Sequence, residues 1–155
     1  MRIAGREREQ AAIRSWLLTA RLLTLTGPSG VGKTRLALEV AREAADSYES
    51  VAFVELDPLA DAALMPPAIA TALGVREEPG RPLIESVAAS MRAQNLLLVL
   101  DHCEHLGDAC ARLVDALLRA CPALTILATS RGALHVPAEI VWPVSPLTLP
   151  PGAGA

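Results

Sequence analysis

The octapeptide Gly27-Pro28-Ser29-Gly30-Val31-Gly32-Lys33-Thr34 constrains this chain more than any other part of it. It fits G-x-x-x-x-G-K-[ST], a loop whose backbone N–H groups cradle phosphate. Such a loop belongs between a buried strand and a helix: the strand delivers it to the rim of a sheet, and the helix turns its positive end to the same point. Residue usage singles out the same place. Of the 14 Lys and Arg residues, Lys33 alone is lysine. An ammonium is a compact charge on a flexible stem and suits a β- or γ-phosphate better than a planar guanidinium does. The competing reading is a glycine-rich turn that binds nothing, and the flanking pattern speaks against it.

Residues 22–26 form a short apolar run that ends at Gly27, a buried strand feeding the loop. Residues 34–45 follow as a helix with Leu36, Val40 and Ala44 on one face. An earlier helix over 7–18 places Ile13, Trp16 and Leu17 on one face. A second strand over 51–56 stops at Asp57-Pro58, and two helices come next. Pro66-Pro67 opens the first and Gly74 closes it. After a polar turn over 77–80, Pro82 opens the second, with Ile84, Val87, Ala88 and Met91 as its buried face. The run 96–100 is apolar on both faces, as a central parallel strand covered by helices must be, and it ends at Asp101. Leu106, Cys110, Leu113, Val114, Leu117, Leu118 and Cys121 then repeat at helical spacing. Strands over 125–129, ending at Ser130-Arg131, and over 140–142 complete the pattern. This alternation predicts an α/β fold, a three-layer sandwich whose mostly parallel five-stranded sheet carries helices on both faces. One domain is expected over 1–150, with a disordered tail over 151–155. Gly27, Asp57, Asp101 and Arg131 all fall at strand ends and so share one rim, where sheets of this kind bind ligands.

Composition narrows the function. The chain has 155 residues, 52% of them hydrophobic and only 3% aromatic, so its core is aliphatic. The net charge of −3 and the four scattered aromatics (Trp16, Tyr48, Phe53, Trp142) argue against nucleic-acid binding by this chain. Residues 1–7 contain no apolar core of a signal peptide, and no apolar run approaches the roughly 18 residues that span a bilayer. Three irregularly spaced cysteines make no disulfide framework. A soluble, cytoplasmic protein without membrane contact is expected.

The chemistry gathers around the loop. The backbone of Gly27, Pro28, Ser29, Gly30, Val31 and Gly32 offers N–H donors, and Lys33 reaches the β- and γ-oxygens. The Thr34 hydroxyl and the Asp101 carboxylate would ligate Mg²⁺; Asp101 closes an apolar run, the pattern of a magnesium-holding strand end. Its other reading is a cap on the following helix. His102 stands where efficient ATPases of the class with an extra strand place a water-activating glutamate. Glu104 is the nearest substitute, with support of the next helix's N-terminus as its second reading. Arg131 can sense the γ-phosphate, or merely begin a turn with Gly132. His102, Cys103, His105 and Cys110 do not match standard zinc spacing, and Cys110 lies on an apolar stripe. His135 reads as a loop residue.

The segments 23–27, 33–37, 97–106 and 127–131, including Asp101-His102-Cys103-Glu104-His105-Leu106 and Thr129-Ser130-Arg131, resemble the signal-transduction ATPases with numerous domains. They are most similar to the NB-ARC-like P-loop NTPase domain of large bacterial LuxR-type and antibiotic-regulatory transcription factors. Val141-Trp142-Pro143-Val144 and Pro146-Leu147-Thr148-Leu149-Pro150 resemble the end of that domain. The resemblance implies an ATP/ADP switch, resting with ADP and activated by exchange, with Mg²⁺ and little hydrolysis. It implies that Ile3-Ala4-Gly5-Arg6-Glu7 lies near the adenine, with Arg6 touching the base, and that Arg35 borders the nucleotide. His102 departs from the asparagine usual there. Protein partners would be reached through downstream helical and winged-helix modules. Those modules and a helix-turn-helix lie outside this sequence, which reads as a truncated product or an excised domain.

Two other functions are weighed. A small-molecule (nucleotide) kinase uses the same loop, but needs an arginine-rich lid, and residues 57–91 offer only Arg76 and Arg81. A nucleotide-free interaction remnant is the other. A transporter ATPase is disfavoured because no Leu-Ser-Gly-Gly-Gln-like stretch precedes Leu96.

Overall fold

A computed structural model of the chain describes residues 6–145. The expected base-proximal residues Ile3-Ala4-Gly5, the segment 146–150 and the tail 151–155 lie outside the described residues. Five strands, β1 (Leu22–Thr26), β2 (Ser50–Glu55), β3 (Leu96–Asp101), β4 (Leu124–Ser130) and β5 (Glu139–Pro143), make one sheet in the order β2-β3-β4-β1-β5. Every pairing is parallel. Among the described residues the α-helices are α1 (Glu7–Leu17), α2 (Lys33–Ala44), α3 (Met65–Leu73), α4 (Leu83–Arg92) and α5 (Gly107–Ala120).

Strand alternation divides the core into two layers. In β3, Leu96, Leu98 and Leu100 pack with α3, α4 and α5, while Leu97 and Val99 pack with α1 and α2. In β1, Leu22 joins the first group and Leu23 and Leu25 the second. The result is the three-layer sandwich, because a strand buried on both faces needs a helix layer on each. α3 begins with Pro66 and Pro67 in its first turn and ends at Gly74 in the left-handed conformation, φ 72°. α4 starts directly after Pro82.

Two expectations shift. On α1 the buried residues are Gln10, Ile13 and Leu17, and Trp16 is 48% exposed. A stripe spaced three and four residues apart turns position 16 away from the sheet. The helix expected to include Leu106 is split: a 3-10 turn over Cys103–His105 comes first, and α5 begins only at Gly107. His102 enters that turn with φ 65°, a left-handed conformation that breaks the path from strand to helix. All three cysteines are free and buried.

The order of strands sets up the site. β4 lies between β1, which feeds the phosphate loop, and β3, which ends in Asp101. Their carboxyl ends lie side by side, so three successive strands deliver side chains to one rim. Among the described residues no helix is long and apolar enough to cross a membrane.

Candidate functional site

The loop between β1 and α2 owes its shape to glycine. Gly32 has φ 94° and is the N-cap of α2. Gly27 has φ 151°, and a Cβ there would lie 3.1 Å from Val31 Cγ1 and 3.4 Å from the Val144 carbonyl. Gly27→Ala is therefore expected to cost about 2 kcal/mol, from backbone strain plus overpacking. Thermal unfolding of the variant measures it; an unchanged midpoint would show that the loop is looser than its packing implies.

Lys33 opens α2 and is 8% exposed. Its ammonium donates to the carbonyls of Gly27 at 2.6 Å and Pro28 at 3.0 Å. The charge is thus parked against the loop it would serve. Neutral carbonyls are weaker partners for an ammonium than a phosphate dianion, so the contact is easily exchanged for a ligand.

One residue on, the Thr34 hydroxyl donates to Asp101, 2.8 Å from Oδ1 and 3.0 Å from Oδ2. Asp101 is 1% exposed. From the intervening strand Thr129, fully buried, donates to Asp101 Oδ1 at 2.6 Å and accepts from the His102 N–H at 2.9 Å. The register explains the meeting: Leu100 pairs with Ala128, so the next residues, Asp101 and Thr129, fall side by side. Buried carboxylates need such donors. The set Thr34 hydroxyl plus Asp101 carboxylate is hard oxygen throughout and fits Mg²⁺. In the sequence Thr129 stands only within the segment Thr129-Ser130-Arg131, with no role of its own. Its signal was a hydroxyl at the end of the apolar stretch 126–128, directly before Ser130-Arg131.

His102 Nδ1 lies 3.1 Å from Asp101 Oδ2 but makes no aligned hydrogen bond. Close approach without alignment is the weaker statement, and the two observations agree on that reading. Behind the acid, Cys103 is fully buried, and its contact with the Cys110 thiol, together with burial, holds its pKa well above the usual thiol range. It stays a neutral core residue. His105 Nε2 is 2.7 Å from the Leu59 carbonyl and Cys110 lies in the core. The four residues of the zinc reading therefore do not converge.

Glu104 and Arg131 meet across the mouth. The Arg131 N–H donates to Glu104 Oε1 at 3.2 Å, and its guanidinium donates to the Ser29 hydroxyl at 3.3 Å. Arg131 thus reaches the phosphate loop from the end of β4. Glu104 falls in the 3-10 turn ahead of α5, whose own first-turn acid is Asp108. A cavity of about 400 Å³ opens among Ser29, Gly30, Gly32, Lys33, Thr34, Arg35, Leu38, His102 and Glu104.

Arg6, expected beside a base, is 2% exposed and lies under the loop. Its guanidinium donates to the Val31 carbonyl at 2.7 Å and pairs with Glu9 at 2.6 Å. Asp57 stands on the same rim just past β2, the edge strand, on the far side of β3 from the loop.

Comparison with known proteins gives the family and the fold. The family model of the AAA domain matches residues 17–136. An uncharacterized protein of Mycobacterium tuberculosis is 42% identical over 146 residues, which cover 94% of this chain and 37% of that protein. A protein of the same organism named "Putative HTH-type transcriptional regulator" is 43% identical over 137 residues, 88% of this chain and 15% of that protein. The chain thus spans well under half the length of these relatives. Cdc6p from Pyrobaculum aerophilum superposes with a TM-score of 0.68 at 17% identity, over 90% of this chain and 45% of that one. A signal transduction ATPase with numerous domains, bearing a tetratricopeptide repeat sensor, from Pyrococcus horikoshii superposes at 0.60 with 15% identity, over 92% of this chain and 23% of that one. At these identities the structural likeness is one of fold.

Proposed function

The chain belongs to the AAA domain family, and on that premise we propose that it is the ATP/ADP-binding switch module of a cytoplasmic transcriptional regulator, with little or no turnover. One observation carries the reading. β1, β4 and β3 bring Lys33, Arg131, Thr129 and Asp101 together with Thr34 around a single rim. Those groups supply the cation for phosphate, an arginine at its far end and oxygen donors for Mg²⁺. When bound, the ion would neutralise phosphate charge; Thr34 and Asp101 are the residues that would hold it. The name of the 43%-identical relative supports a role in transcription regulation. The finer placement, an NB-ARC-like domain of a LuxR-type regulator, rests on the segments quoted above.

Slow turnover follows from what the water-activating position holds. The residue after Asp101 is an imidazole set against the acid itself. The nearby carboxylate, Glu104, accepts the Arg131 N–H. A general base of this kind is a carboxylate held to the attacking water; the position directly after the acid offers none, and Glu104, which lines the cavity, is engaged through one of its two oxygens. Binding nucleotide without rapid hydrolysis suits a switch whose state is read by attached domains. Protein partners are assigned to those domains, and no nucleic-acid contact is assigned to this one.

Calorimetric titration with ADP and with Mg·ATP, alongside single-turnover hydrolysis, tests the proposal. Micromolar or tighter binding with turnover far below ~1 per second is expected, the low end of ordinary enzymes. Fast turnover would make it an enzyme rather than a switch. Absence of binding by the folded chain would remove the nucleotide reading altogether.

A further inference from the structure

A charged side chain that is 2% exposed needs a reason to be there, and the contacts of Arg6 supply one. One guanidinium nitrogen donates to the Val31 carbonyl at 2.7 Å. The other donates to Glu9 Oε1 at 2.6 Å, while Glu9 Oε2 accepts the indole N–H of Trp142 on β5 at 3.0 Å. Three elements of the fold thus converge on one carbonyl of the phosphate loop: the entry to α1, α1 itself and β5.

The choice of that carbonyl matters. The peptide joining Val31 to Gly32 is trans, so its C=O and N–H point in opposite directions. A carbonyl held on the protein side by Arg6 sends the Gly32 N–H the other way. Gly32 lines the cavity. Its φ of 94° is open to glycine, and a Cβ there would stand 3.8 Å from the Arg6 guanidinium.

We infer that Arg6 is a positioning residue for phosphate: anchored by Glu9 and Trp142, it fixes the Val31 carbonyl and thereby aims the Gly32 N–H into the cavity. This rests on the nucleotide-binding reading above and changes what Arg6 does within it. The guanidinium acts on the phosphates through the loop and makes no contact with the base. A backbone N–H left to rotate would instead turn its carbonyl oxygen toward an anion, which is repulsive.

The two roles separate with a ligand that has no base. The wild type, Arg6→Met, Arg6→Lys and Glu9→Gln are titrated calorimetrically with ADP and with inorganic tripolyphosphate, and their thermal unfolding is followed in parallel. Arg6→Met is expected to weaken both ligands by the same factor, about tenfold, the worth of one hydrogen bond to a charged group. Arg6→Lys keeps a donor for the Val31 carbonyl and should recover to within about threefold of wild type, with Glu9→Gln falling between. Should Arg6→Met not fold, the graded order of wild type, Arg6→Lys and Glu9→Gln carries the same test. A loss confined to ADP would mean that Arg6 meets the base, and would overturn the inference. So would equal affinities across the set, or a lysine no better than methionine. A wild type that binds neither ligand defeats the nucleotide reading first, and this inference with it.

Discussion

Lys33→Ala is expected to lower affinity for ADP and ATP by roughly 30- to 100-fold, the loss of about 2–3 kcal/mol of charge-assisted contact. The fold should survive. The ammonium touches the carbonyls of Gly27 and Pro28 at the rim of the sheet, and water can replace it there. Helix α2 is held by Leu36, Ala37, Val40, Ala41 and Ala44 against the sheet, not by its first residue. Alanine is moreover the best helix former, so the start of α2 is not weakened. Removing a largely buried charge also removes its desolvation cost, which leaves stability within about 1 kcal/mol of wild type. Titration with ADP and with adenosine separates phosphate from base: adenosine binding should be unaltered. An unfolded variant, or unchanged ADP affinity in a folded one, would count against the role given to Lys33.

That much was legible in the sequence because it rests on local pattern. The loop is a contiguous motif. β3 announces itself as five apolar residues in a row, and Asp101 marks its end. Burial on both faces forced the sheet to be parallel and covered, and the three layers followed. What was not legible depends on register and on the path of the chain between elements. Thr129 reaches Asp101 only because β4 pairs with β3 as it does, and no spacing along the chain encodes that alignment. Glu104 had two readings in the sequence, a water-activating substitute and a support of the next helix; the left-handed residue His102 and the 3-10 turn set it ahead of that helix and against the Arg131 N–H. Trp142 was one scattered aromatic in the sequence. In the structure its indole N–H meets Glu9, 133 residues away in sequence. Arg6 illustrates the limit best: the sequence suggested a place near the base, while its contact with the Val31 carbonyl of the loop needed coordinates.

Asp101→Asn should keep the fold and the metal-free affinity for ADP while removing most of the gain that Mg²⁺ confers. The hydrogen bonds explain why asparagine is the informative substitution. Thr34 and Thr129 both donate to Oδ1, at 2.8 and 2.6 Å, and an amide oxygen can accept both. The other position, Oδ2, lies 3.0 Å from the Thr34 hydroxyl, whose oxygen can accept from an amide N–H₂ while its proton goes to the neighbouring oxygen. What asparagine lacks is the charge, and a hard divalent cation depends on it. Affinity measured with and without Mg²⁺ should then differ by about tenfold less than in wild type, on the scale of one charged contact. Asp101→Ala is the contrasting case. It strands the Thr129 hydroxyl, fully buried, and the Thr34 hydroxyl without their acceptor, at a cost of about 2–3 kcal/mol in stability. The pair therefore separates two duties of one carboxylate: it organises the rim in the ligand-free protein and offers charge to an ion. If asparagine instead weakened ADP equally with and without Mg²⁺, the charge of Asp101 would matter to the shape of the loop and not to the metal.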